Sequence, residues 1–385
     1  MANLLNKIKK IKSRLIDEIF IFKHAHLVRN IIESIEDDII PGDERKDNYI
    51  YISFRPTGGF GDYIISSKLL DEIKEMVPCK IDVFCENVEY GLAVYGKRED
   101  TNVVPINTFY SQMWKYDLAL TVEHFVHIER KNPNKISRIS PEFMDKLNSL
   151  EKGYKMYYPA IEQQWFRESM HFRRCELKGI NRWSELRHEN IFKMEDQKTW
   201  IPLDERYIER IKELGLDSKR YITINRGADS MGRSKMQTKV WPLEYYIEFV
   251  KLFKDEFSDI DIVQVGAKSN MEVEGADQYI FGENLETTKW ILKKSLLHLD
   301  CEGGLVHLAT QLDTKCVVIF GPTPKHFYEY PQNINLVYEG CNNCMGSHPN
   351  WAFECYRGFD KPECMYKVTP DIVMSSIRDF LLMQR

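Results

Sequence analysis

The stretch with the clearest chemical potential is RPTGGFGDYIISSKLL, residues 55–70. An apolar run, YIYISF, leads into Gly58, Gly59 and Gly61, and Asp62 stands where a helix over 63–76 is predicted to begin. A dinucleotide-binding turn would carry a third glycine, but Ile64 occupies that position. A carboxylate in the first turn is stabilised by the helix dipole and repels a phosphate competing for the same amides. The loop therefore reads as one that presents a base. Its glycines would let an acceptor come close to the backbone, and Asp62 would stay ionised at a cleft. The bland alternative is that Asp62 merely caps its own helix.

A second group of residues reads as an anion site. YITINRGAD ends a predicted strand at Arg226 and Gly227, where a parallel sheet binds ligands and glycine bares amides. Lys239 follows shortly after. CEGGLVHLATQL sets Glu302, Gly303 and Gly304 at the start of a predicted helix, a geometry suited to anions. Glu302 either binds a ligand hydroxyl or orders the loop. His307 is either a buried structural group or a phosphate contact. Thr323, at the end of the strand CVVIFGPT, would line the same cleft. The alternative for each cation is a solvated surface charge.

Two further features carry chemistry. Cys341, Cys344, Cys355 and Cys364 form C-x2-C, x10, C, x8, C, a set of soft donors for a structural zinc or iron. His348 lies among them as an alternative ligand; four unmetallated thiols are the other reading. Cys79, Cys85, Cys175, Cys301 and Cys316 fall in or beside apolar segments and read as core. The aromatic and basic segment 165–188, with Arg173, Arg174, Arg182 and Arg187, offers a surface for a phosphorylated acceptor, or an ordinary helical face.

The elements that must position these residues alternate in a βαβ rhythm. Strands are predicted at YIYISF, KIDVFC, VVPI and DLALTV, and the rhythm restarts with YITIN, IDIVQVG, LLHLDC and CVVIFG. Helices are predicted at 242–257, 286–297 and 304–311, and residues 140–195 read as mostly helical. A chain of 385 residues exceeds what one core usually organises. The expected organisation is a basic amphipathic helix at 1–30, a first α/β domain at 48–195 and a linker at 196–219. A second α/β domain follows at 220–373, with its cysteine-rich loop at 340–365, and a final helix at 374–385. The first helix, with Leu4, Ile8, Ile11 and Leu15 on one face and lysines around it, reads as an anchor to anionic lipid or as a helix packed on its own core. The net charge of −5 gives no general case for nucleic acid as a partner. Nine cysteines and no secretory segment point to a reducing, cytoplasmic setting, peripheral to the inner membrane if the first helix binds lipid.

Three of these stretches, RPTGGFGDYIISSKLL, INRGADS…TKVWPLEYYIEFV and CEGGLVHLATQLDTKCVVIFGPTPKHF, together resemble glycosyltransferase family 9, the ADP-heptose:lipopolysaccharide heptosyltransferases. With CMYKVTPDIV the resemblance covers roughly 48–375. It implies a GT-B fold, two Rossmann-like domains with parallel sheets facing a cleft. It also implies an inverting sugar transfer with Asp62 as general base and no catalytic divalent metal. Lys239, two residues before Trp241, and Arg226 would serve the departing diphosphate. ADP-heptose would be the donor, and a lipid-linked lipopolysaccharide or other glycan the acceptor; a protein acceptor stays open. The family's usual aspartate is replaced by Glu302. Related autotransporter heptosyltransferases carry a four-cysteine iron motif at a different spacing. A non-catalytic nucleotide-sugar-binding or glycan-binding protein and a UDP-sugar epimerase remain alternatives on the same architecture.

Overall fold

The structure is a computed structural model that describes residues 48–161, 166–188, 190–227, 238–348 and 350–384, with side chains at 154–168 excepted. The basic segment 1–30 lies outside the described residues.

The first sheet runs β3-β2-β1-β4-β5. Its strands are β1 (Ile50–Pro56), β2 (Cys79–Cys85), β3 (Thr101–Pro105), β4 (Leu118–Val122) and β5 (Val126–Lys131). Four are parallel, and β5 returns antiparallel to β4 through a tight hairpin. The second sheet is wholly parallel, in the order β11-β10-β9-β6-β7-β8. It comprises β6 (Tyr221–Asn225), β7 (Asp261–Gly266), β8 (Gln278–Phe281), β9 (His298–Cys301), β10 (Cys316–Phe320) and β11 (Ile334–Val337). Strands buried on both faces read as near-continuous apolar runs, and β10, CVVIF, is buried at every position.

The two sheets share a core. One continuous apolar cluster joins Ile52, Phe54 and Leu69 of the first half to Val306, Leu308 and Val318 of the second. The contact is made by two helix starts. Helix Phe60–Met76 follows β1, and helix Gly304–Gln311 follows β9.

Several elements differ from expectation. The helix after the first glycine loop begins at Phe60, because the Asp62 side chain closes its first turn. The helix expected to reach 297 ends at Lys294, where Ser295 turns extended. Its following strand is correspondingly short, His298–Cys301. The helical region 140–195 gives way after Lys178 to turns and a single 3-10 turn at Ser184–Arg187. The final helix is Pro370–Leu382 rather than 374–385, with proline pre-set for its first turn. Strands β5, β8 and β11 were not expected; each lies at a sheet edge or next to a hairpin, where the apolar pattern is weakest.

Candidate active site at the facing strand ends

In an open parallel sheet, ligands bind beyond the carboxyl ends of the strands where the strand order reverses. In the first sheet that point lies between β1 and β4, so the loops after them, 57–59 and 123–125, form the crevice. In the second sheet it lies between β6 and β9, and the loops there carry Arg226, Gly227, Glu302 and Gly303.

Asp62 occupies the third helical position. Its Oδ2 accepts from Gly59 N–H at 2.8 Å, so it does cap its own helix. Its Oδ1 is held by Arg182, whose Nη2 and Nε lie at 2.8 and 3.1 Å. The carboxylate is a quarter exposed, 26%. Gly58 sits at φ +90, and a Cβ there would stand 2.4 Å from Asp62 Oδ2, so only glycine leaves room for the carboxylate. Gly61 meets a different neighbour. A Cβ at 61 would fall 2.4 Å from the His307 ring, so this glycine permits the two helix starts to touch.

On the second-half side, Lys239 Nζ lies 2.7 Å from Glu302 Oε2, in ion-pair contact. Burial would raise the Glu302 pKa, but Lys239 and His307 outweigh it and hold it at about 2. His307 Nε2 is 3.5 Å from Glu302 Oε1, and its Nδ1 shares a 2.6 Å hydrogen bond with the Tyr330 hydroxyl. His307 is thus buried and tied to the Glu302 loop, as its structural reading expected. Trp241 fixes the Lys239 segment: its N–H donates to Cys301 Sγ and its indole donates to Val368 O at 2.7 Å. Arg226 lies half-buried against Met271, with its Nη1 3.5 Å from the sulfur. Thr323 is buried, and its hydroxyl finds no hydrogen-bond partner among the described residues.

Other residues fall elsewhere. Arg173 is exposed and paired with Glu176, and Arg174 lies beside it on the same helix, Phe166–Lys178. Arg182, expected on an acceptor surface, is instead only 1% exposed. The reason is electrostatic, for it bridges two carboxylates, Asp62 and Glu185. Tyr328, to which no sequence pattern pointed, neighbours both Asp62 and Glu302. Burial, then those two carboxylates, push its pKa well above the usual value.

The four cysteines Cys341, Cys344, Cys355 and Cys364 line one cavity of ≈ 390 Å³ together with Thr238, Pro322 and Arg357. Burial and then the neighbouring thiols raise Cys344 to about 11 and Cys364 to about 12. Their donor type is the one a soft metal favours. The group that the described residues bring within 4.8 Å is another one: His124, His171 and Glu185. There the Arg182 guanidinium already stands 2.6 Å from the carboxylate, where a cation would have to compete with it.

No family model matches the sequence, and no curated protein sequence does. Solved structures do match in fold. The E. coli ADP-heptose lipopolysaccharide heptosyltransferase II is 14% identical at TM-score 0.52, covering 87% of this chain and 99% of that one. The iron-containing dodecameric glycosyltransferase TibC from enterotoxigenic E. coli is 12% identical at TM-score 0.55, covering 87% and 80%. The family 9 glycosyltransferase from Veillonella parvula is 13% identical at TM-score 0.51, covering 88% and 100%. No described helix is long and apolar enough to cross a membrane. The architecture reached from the strand orders and the facing loops is thus the GT-B fold of the glycosyltransferase family 9 heptosyltransferases.

Proposed function

We propose that the chain is an inverting glycosyltransferase that moves a sugar, heptose from ADP-heptose, onto a lipopolysaccharide or related glycan acceptor. The carrying observation is the convergence of Asp62, in the first turn of the helix after β1, with the Glu302–Lys239–His307 group of the second half through the Gly61–His307 contact. In this reading the acceptor hydroxyl gives its proton to Asp62. Its oxygen attacks the anomeric carbon, and the bond to the diphosphate breaks with its electron pair on the leaving oxygen. Lys239, with further N–H donors beyond the one on Glu302, and Arg226 balance the charge that develops. The unpartnered Thr323 hydroxyl and the amides of Gly227, Gly303 and Gly304 complete the donor side. Glu302, acceptor-only, suits a donor-sugar hydroxyl.

The test is transfer of labelled ADP-heptose, with ADP-, GDP- and UDP-sugars compared by thermal shift. Asp62→Asn should keep donor binding and lower transfer by about 10²–10⁴-fold, the range of general-base catalysis. Wild-type turnover in that variant would remove Asp62 from the chemistry. A specific observation favours a second reading, a nucleotide-sugar-binding protein without turnover: Asp62 is already held on both oxygens. Donor binding with neither transfer nor hydrolysis would select it.

The four cysteines would hold a structural zinc or iron, closed to substrate. Their loop packs on the strand end that carries Thr323, through Met345 N–H to Pro322 O at 2.8 Å. Elemental analysis should find about one ion per chain, as one four-ligand site requires. Residues 1–30 would carry the protein to an anionic inner-membrane surface. Their removal should abolish co-sedimentation with anionic vesicles and spare turnover of soluble acceptor fragments.

A further inference from the structure

Behind Asp62 lies a chain of buried ionisable groups. Arg182 spends all three nitrogens: Nε and Nη2 on Asp62, Nη2 also on Glu123 O at 3.0 Å, and Nη1 on Glu185 Oε1 at 2.6 Å. Glu185 in turn meets His124 Nδ1 through Oε1 and His171 Nε2 through Oε2, each at 2.9 Å. The backbone N–H of Arg182 donates to Phe327 O at 2.8 Å, so the main chain that carries the guanidinium is tied to the second half as well.

The charges do not cancel without a proton on an imidazole. Asp62 and Glu185 contribute two negative charges and Arg182 one positive. An uncompensated charge among buried groups is expensive, so one imidazolium is the economical solution. His124 is the group so placed, because it meets the same Glu185 oxygen, Oε1, that Arg182 holds. Burial works against its protonation, but Glu185 outweighs that and raises its pKa. Glu185 answers in kind: burial would raise it, yet His124 and Arg182 bring it to about 2. His171 stands on the other Glu185 oxygen, away from Arg182, and three further groups that face the cluster do not supply the charge. His188 is lowered to about 4 by burial, and its Nε2 accepts from Val126 N–H. Cys175 lies 3.5 Å from His171, with its thiol pushed by burial up to about 12. Tyr328 is kept protonated by burial. The rings of Phe172 and Phe327 close the remaining sides of His124.

We propose that Arg182, Glu185 and His124 form a positioning relay, in which the proton on His124 sets how firmly Arg182 holds the Asp62 carboxylate. The proposal rests on Asp62 being the base of the transfer. With His124 charged, Glu185 divides its attraction between imidazolium and guanidinium, and Arg182 keeps both N–H groups on Asp62 Oδ1. With His124 neutral, Glu185 draws on Arg182 alone, and the fork on Asp62 loosens. Transfer therefore falls as pH rises through the His124 ionisation, which lies above the ordinary histidine value. Arg182 and Glu185 are buried behind Asp62, so the three residues act through that carboxylate.

The experiment follows ADP release from ADP-heptose, with heptose-terminated lipopolysaccharide core as acceptor, across pH 5.5–9 in wild type, His124→Gln, Arg182→Lys and Asp62→Asn. Wild type should show an alkaline fall in kcat. His124→Gln should lose that inflection and run at the low plateau, with donor KM unchanged. Arg182→Lys keeps the charge but loses the planar fork, and should lower kcat by about tenfold or more with donor KM unchanged. An inactive Asp62→Asn beside a His124→Gln of wild-type profile overturns the relay and leaves the base standing. A fully active Asp62→Asn overturns the base itself, and the relay with it. A second arm needs no turnover: in guanidinium-labelled protein, the Arg182 Nε–H resonance should titrate with the midpoint of the His124 ring. An Arg182 signal indifferent to that titration overturns the relay whatever the donor proves to be.

Discussion

Asp62 depends on a glycine four residues earlier for its place. Gly58 combines a positive φ with a hypothetical Cβ 2.4 Å from Asp62 Oδ2, so Gly58→Ala is strained twice, in backbone and in contact. The carboxylate would have to swing from Gly59 N–H, and small misplacements of a reacting group cost about 10²-fold. The expected outcome is that loss in kcat with nucleotide affinity unchanged by calorimetry; a variant of wild-type kcat would show the geometry to be tolerant. Lys239 poses the opposite case. Removing it leaves the buried Glu302 without its lysine partner, and breaking a buried pair costs about 3–5 kcal/mol. Glu302 is a depressed carboxylate, so its contribution is present above the unfolded value near 4.5 and disappears as pH falls toward about 2. In Lys239→Ala that window should move up in pH, and nucleoside diphosphate affinity should drop. Superimposable acid-melting curves for variant and wild type would contradict the pairing.

At the scale of elements, the helix starts Phe60–Met76 and Gly304–Gln311 are joined through Gly61 and His307. The ring cannot simply step aside, because Tyr330 holds its Nδ1 at 2.6 Å. Gly61→Ala should therefore lower stability by about 1–3 kcal/mol, the usual cost of overpacking. The double variant with His307→Ala should recover part of that loss, and strictly additive losses in a double-mutant cycle would rule out the contact. These two helices were legible from the sequence, because glycine followed by a 3.6-residue apolar period marks a helix start. So were the central strands, most of them short runs dominated by apolar residues such as YITIN or CVVIF. The edge strands β5, β8 and β11 were not, since one polar or half-exposed face dilutes the pattern. The site divides along the same line. Asp62, Lys239 and Glu302 sit beside local motifs, whereas Arg182, Glu185, His124 and Tyr328 are brought together only by the fold. Arg182 and Asp62 are 120 positions apart, and nothing local in RCELKGINRWSELR distinguishes a buried bridging arginine from a surface one.

At the scale of the whole molecule, the two sheets are not two independent cores. The larger apolar cluster runs from β1 through helix Phe60–Met76 into helix Gly304–Gln311 and strand β10. Polar ties cross at the same level. Thr199 N–H donates to Gln311 Oε1 at 2.8 Å, the Lys289 ammonium to Pro202 O at 2.8 Å, and the Trp290 indole to Asp204 O at 2.8 Å. Lys289 is wholly buried and shares its ammonium between Glu286 of its own helix and Pro202 O of the 196–219 segment, so losing that segment would strip it of one of its two partners. Unfolding either half alone would expose the shared cluster and strand these groups. Chains of this size commonly unfold domain by domain when their interfaces are small and polar. Here the interface is itself core, and the expected result is one cooperative transition. Calorimetry and two spectroscopic probes, one weighted to Trp183 in the first half and one to Trp241 in the second, should give coincident midpoints. A nucleoside diphosphate bound to the second-half loops should then raise both probes together, by about 2.7 kcal/mol at a hundred times its Kd. Two resolved transitions, with only the Trp241 signal responding to nucleotide, would show that the halves fold separately and meet only as a cleft closes.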